Sequence, residues 1–138
     1  MDSKKRFFRF FIWFAVALLQ VISTQVVTFL LSLLLPGMEN FPHEQPALFV
    51  FLVGPTFATG AFLAGWLAVR LRWLHVRPLL LARAVSALVC AYLPLILALV
   101  IYRTLAPGNP FFLVSVLMSV LGFHLPGWLS TNNAVSPA

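Results

Sequence analysis

The chain has 138 residues, of which 62% are hydrophobic and 9% are charged, and its formal net charge is +6. A soluble domain has only ~45–50% apolar residues, so this composition excludes a soluble enzyme or binding protein. The positive charge would suit nucleic acid, but nine lysines and arginines scattered between long apolar runs do not form a basic binding surface. We therefore expect an integral membrane protein that binds no nucleic acid.

Four apolar stretches have the length of membrane spans, since a helix needs about 20 residues to cross a ~30 Å hydrocarbon core. They cover approximately residues 10–35, 47–69, 79–102 and 111–129. The connectors PGMENFPHEQP and APGNP are rich in residues that end helices and reverse the chain. We predict an all-α integral membrane protein with one domain, residues 1–138, in which four transmembrane helices form two antiparallel hairpins without a soluble domain.

The first span follows the basic and aromatic start MDSKKRFFR. It is too long for the apolar region of a secretory signal and lacks a small-x-small cleavage site, so we expect it to remain as an anchor. As a helix it would measure about 39 Å, and it should therefore tilt or begin with an interfacial turn. Gln20, Thr24 and Thr28 recur every four residues and form a predicted helix-packing face.

The second span carries a stripe of small residues, which let helix backbones approach closely. Its members are Gly54, Ala58, Ala61 and Gly65. Such a stripe serves packing within the chain as often as contact with a partner, and both interpretations stay open. Pro55 and Pro94 predict two helix kinks at one level, which would line a small cavity, unless Ser and Thr hydroxyls bond the carbonyls that the prolines free.

The basic segment VRLRWLHVRP, residues 69–78, lies between the second and third spans. Eight of the nine basic residues fall on that side of the predicted membrane. The positive-inside bias therefore places both termini in the cytoplasm. We expect the membrane to be a bacterial inner membrane. The same cluster suits anionic lipids or an acidic partner surface. Its predicted lipid- or partner-binding residues are Arg70, Arg72, Trp73, Arg77 and Arg83.

Two polar residues within the spans need separate interpretation. Arg83 lies near the start of the third span, where its side chain can snorkel to the headgroups, with a buried functional arginine as the alternative. His124 lies deeper, in the fourth span, where it would bond a neighbouring helix or ligate a haem or chlorophyll. A haem held by two histidines would need a second imidazole at equal depth, and the sequence provides none.

The spans contain no Asp or Glu, which argues against proton- or cation-coupled transport, and no grouping of catalytic side chains, which argues against an enzyme. We expect a non-catalytic accessory subunit of a larger membrane complex, such as a respiratory or photosynthetic electron-transport assembly. It would contact other membrane subunits and anionic lipids. The alternative is a small homo-oligomeric carrier or flippase for a lipid-linked substrate. In either case, the candidate molecules at the interfaces of the protein are lipid, quinone, carotenoid and chlorophyll, and no cofactor is assigned.

Overall fold

The computed structural model describes residues 2–76, 79–103 and 110–133, and within these ranges all regular structure is helical. The elements are α1 (Asp2–Leu34), a 3-10 turn (Met38–Asn40), the one-turn helix α2 (Phe41–Glu44), α3 (Pro46–Arg70), α4 (Leu80–Tyr102) and α5 (Pro110–Asn133). Four of these helices, α1, α3, α4 and α5, are long and apolar enough to cross a membrane. The prediction of an all-helical, multi-pass membrane protein is confirmed at this level.

Helix α1 begins earlier than the apolar pattern predicted, because its basic and aromatic start is also helical. The helix has 33 residues, which corresponds to about 50 Å. No proline or glycine interrupts the residues between Asp2 and Leu34, so nothing ends the helix where the charges begin. Its buried residues Val16, Gln20 and Thr24 recur at intervals of four and mark a single inward face.

Helix α3 is the centre of the bundle and packs against α1, α4 and α5. Along α1, Val16 packs in one cluster with Ala68, Gln20 bonds the Ala61 carbonyl, and Thr24 lies against Gly60. Later positions in α1 therefore meet earlier positions in α3. Most buried residues of α3 are small, which allows the larger side chains of its neighbours to fill the space around it.

Helices α4 and α5 form the most extensive pair in the bundle. A Cβ atom built on Gly122 would lie 2.6 Å from the Ser86 carbonyl oxygen and 2.9 Å from the Cα atom of Ala87. These distances are shorter than van der Waals contact, so a glycine is required where the two backbones meet. Nearer the opposite end, Ser115 donates to the Ala91 carbonyl and links the same two helices.

Candidate functional site

Gln20 and His124 form the centre of a buried polar cluster between α1, α3 and α5. Both side chains are almost fully buried, with exposures of 0% and 3%. The Gln20 Nε2 atom donates to the Ala61 carbonyl at 2.8 Å, and Gln20 Oε1 lies 2.8 Å from Nε2 of His124. Because the amide oxygen can only accept, Nε2 of His124 carries the proton. The Nδ1 atom is then an acceptor, and it has no partner among the described residues.

Aromatic rings enclose the imidazole of His124. The ring centroids of Trp13, Phe123 and Trp128 lie 4.6, 5.1 and 6.2 Å from its own. With one ring nitrogen bonded to Gln20 and three aromatic neighbours around it, the imidazole has no open side for a planar macrocycle. The residues present therefore do not fit a haem or a chlorophyll, and the geometry agrees with the interhelical interpretation of this histidine.

Arg83 lies inside the bundle, so the expectation that it snorkels to the headgroups is wrong. Its side chain is 1% exposed, and its Nη1 atom donates to the Phe123 carbonyl at 2.7 Å. The guanidinium carbon also stands 4.9 Å from the centroid of the Phe123 ring. Gly127 provides the room, since a Cβ atom there would lie 2.7 Å from Nη2 of Arg83. A carbonyl and an aromatic face of α5 are thus among the partners of this cation inside the bundle.

The predicted helix-packing residues mostly pack within the chain. Gln20, Thr24 and the four members of the small-residue stripe are buried, and Thr28 is half-buried with its hydroxyl bonded to the Thr24 carbonyl. A Cβ atom on Gly65 would lie 2.5 Å from both Gln20 and Phe123. The stripe therefore supplies contacts between α3 and its own neighbours, which leaves little of it to face another subunit.

Pro55 does not leave the α3 backbone open. Pro55 has no N–H, so it frees the carbonyl of Phe51 four residues earlier. The hydroxyl of Tyr92 in α4 donates to that carbonyl at 3.0 Å. The sequence favours a serine or threonine hydroxyl in this role and offers no local signal for a tyrosine from another helix.

The outward face of α1 carries one amide, that of Gln25, which the sequence pattern predicts to lie beside the face of Gln20, Thr24 and Thr28. At about 100° per residue, Gln25 lies about 140° around the helix from Gln20. It is exposed and makes no hydrogen bond to any described residue. Its neighbours on this face are large and apolar, and Leu18, Ile22 and Phe29 are each more than half exposed. A helical projection of the sequence would have separated the two glutamines.

The basic segment after α3 forms a defined helix cap. Arg72 has a left-handed φ of 60°, its N–H donates to the Val69 carbonyl, and the N–H of Trp73 donates to the Ala68 carbonyl. This pattern is a Schellman motif, in which the left-handed position is usually glycine. Of the predicted binding residues, Arg70 lies 5.6 Å from the Trp66 ring, and Arg77 lies outside the described residues.

No protein-family model, curated protein or solved structure matches this chain. The described residues also contain no group of three or more His, Cys, Asp or Glu side chains that could hold a metal ion.

Proposed function

We propose that the protein is a non-catalytic accessory subunit of a larger membrane protein complex and that it docks through the outward face of α1. The observation that carries this proposal is the exposed amide of Gln25. Gln25 lies near the middle of the apolar residues 10–35. Transfer of an amide without a hydrogen-bond partner from water to hydrocarbon costs about 4 kcal/mol or more. A transmembrane helix of another subunit, with a polar side chain at the same depth, would satisfy it.

The residues around Gln25 suit a packed helix partner. Phe11, Leu18, Gln25 and Ser32 recur every seven residues and are all exposed. A seven-residue repeat keeps one seam facing a partner helix, and a single polar residue in such a seam fixes the register of the two helices. The small residues of α3 are already used within the chain, and the large exposed side chains of α1 offer a surface for this contact.

The setting that we propose is an energy-converting, electron-transport assembly in a bacterial inner membrane. The four helices would cross it as two antiparallel hairpins, with both termini and the basic segment in the cytoplasm. The support for this orientation is that eight of the nine basic residues fall on one side of the predicted membrane. A small homo-oligomeric carrier for a lipid-linked substrate is the competing function, and the size of the native particle separates the two.

The test is native sizing of the full chain after gentle solubilisation of its own membrane. We expect the wild-type chain in a large hetero-complex and Gln25→Leu largely released from it. An interhelical hydrogen bond in a membrane is worth about 0.6 to 1.7 kcal/mol, so the substitution should weaken association about 3- to 20-fold.

Thr59→Val is the matched control, since Thr59 is also an exposed polar residue in a span but lies on α3. It should stay in the complex. Full retention of Gln25→Leu would contradict docking through this face, and a wild-type chain that runs as a small self-oligomer would favour the carrier instead.

A further inference from the structure

A groove of about 1060 Å³ opens between the first turns of α1 and residues 72–76 after α3. Its walls are chemically divided. Phe8, Trp13 and Leu74 contribute apolar surface, and Arg9, Arg72 and His75 contribute polar groups. Phe11 lines the groove and also begins the outward seam of α1, but Leu18, Gln25 and Ser32 do not line it, so the docking proposed above does not explain the groove.

The groove has a fixed outer wall because the segment after α3 is anchored in two ways. The Schellman motif turns the chain, and Leu74, which is 3% exposed, packs in a cluster with Val16 and Ala68. The backbone of Arg72 is therefore held in place against α1, while its side chain is exposed. Arg9 is also exposed and extends from the α1 side of the same groove.

The charge around the groove is positive and uncompensated. Lys4, Lys5 and Arg6 precede Arg9 in the sequence, and Asp2 is the one acidic residue described at this end of the bundle. Neither groove arginine forms an ion pair with a carboxylate in the described part of the chain. Two guanidinium groups with no carboxylate partner favour an anionic group, and guanidinium matches phosphate oxygens in geometry.

We propose that this groove binds an anionic phospholipid of the surrounding bilayer, with the headgroup phosphate between Arg9 and Arg72 and an acyl chain against Phe8 and Trp13. The groove lies where the charged start of α1 passes into its apolar stretch, which is the level of lipid headgroups. Its volume is at the upper end of the range for ligand sites, as expected for the head and upper chain of one lipid. Charge and apolar wall thus select a lipid over a soluble anion.

The experiment measures tryptophan quenching of the purified full chain in nanodiscs of phosphatidylcholine. Trp13 and Trp73 both line the groove and report directly on its occupant. Phosphatidylglycerol with brominated acyl chains is added at increasing mole fraction, and brominated phosphatidylcholine serves as the neutral comparison. We expect half-maximal quenching at a mole fraction about tenfold lower for the anionic lipid, because each basic residue near the headgroups adds to its attraction.

Two double variants with the same loss of charge decide whether the groove or the whole basic surface causes the preference for the anionic lipid. Arg9→Gln with Arg72→Gln should remove the preference for the anionic lipid. Arg6→Gln with Arg70→Gln, whose side chains do not line the groove, should keep it within about twofold. Circular dichroism confirms that both variants stay helical.

If the two double variants lost the preference for the anionic lipid equally, the proposal would be overturned in favour of diffuse attraction to the basic surface. Equal quenching by the neutral and anionic lipids in the wild type would overturn it as well. In discs without anionic lipid, a change in tryptophan quenching on addition of millimolar inorganic phosphate would identify a soluble anion as the occupant of the groove. That result would also refute a lipid site.

Discussion

The hydroxyl of Tyr92 supplies the hydrogen bond that Pro55 cannot make. Pro55 lacks the N–H that would bond the Phe51 carbonyl, and Tyr92 donates to that carbonyl from the neighbouring helix at 3.0 Å. The polar backbone group is therefore satisfied within the bundle, as hydrocarbon surroundings require. The proline removes one hydrogen bond from α3, and the tyrosine links the freed carbonyl to α4.

This arrangement predicts that the effects of substituting the two residues are coupled. Tyr92→Phe should lower the free energy of unfolding by about 1 kcal/mol, because the Phe51 carbonyl loses its donor. In a Pro55→Ala background the new N–H at position 55 bonds the same carbonyl, so Tyr92→Phe should cost roughly half as much or less. Unfolding in bicelles measures both values, and strictly additive effects would show that the hydroxyl does not replace the missing N–H.

The two glutamines of α1 should respond in opposite ways to the same substitution. Gln20→Leu removes the donor to Ala61 and the acceptor for His124, and should destabilise the isolated chain by about 1 to 3 kcal/mol. Gln25→Leu removes an exposed amide and should leave the stability of the isolated chain unchanged or raised. Equal losses of stability would mean that Gln25 also serves the chain's own fold.

Gly60→Ala adds one methyl group and should be among the most destabilising glycine-to-alanine substitutions in α3. A Cβ atom there would lie 2.5 Å from the Cα and 2.7 Å from the backbone nitrogen of Thr24, neither of which can rotate away. We expect a loss of about 2 kcal/mol or more, with α1 displaced from α3. When one cysteine is introduced in α1 and one in α3 of an otherwise cysteine-free chain, the disulfide between them should form more slowly in this variant.

Gly54→Ala provides the comparison for Gly60→Ala. Its Cβ atom would meet the ring of Tyr92 at 2.5 Å, and a side chain at the bundle surface can move. The expected cost is the hydrogen bond to Phe51, about 1 kcal/mol. If Gly54→Ala proved as costly as Gly60→Ala, backbone contact between α1 and α3 would not be the determining factor.

The charge distribution predicts which ends of the helices are cytoplasmic. In a Cys90→Ala background, a cysteine at Asn40 should react with an impermeant thiol reagent only from the outer side. A cysteine at His75 should react only from the cytoplasmic side, because the basic residues cluster at that end. Labelling of position 40 from the cytoplasm would reverse the proposed orientation.

The sequence predicts the spans well because hydropathy depends only on local composition. The predicted span 47–69 agrees with α3, Pro46–Arg70, to within one residue at each end. Helix α1 begins eight residues before the predicted span 10–35, because charged residues end an apolar run without ending a helix. Periodicity also located the buried face of α1 at Gln20 and Thr24 correctly.

Periodicity could not say which helix each face would meet. Arg83 has the length to reach either the headgroups or the neighbouring helix, and only the position of Phe123 decides between them. In the same way, a stripe of glycine and alanine has identical spacing whether it packs inside the chain or against a partner. Such choices depend on contacts between residues far apart in sequence, and one sequence does not encode them as a pattern.

The hydrogen bond between Gln20 and His124 joins residues 104 positions apart, in the first and last of the four long helices. Translation delivers these helices to the bilayer one after another, so the Gln20 oxygen lacks its imidazole partner until α5 has been inserted. A chain cut short before residue 124 would keep that oxygen at membrane depth without its partner. The closed bundle is thus available only to chains whose synthesis has reached α5, because that helix supplies the imidazole.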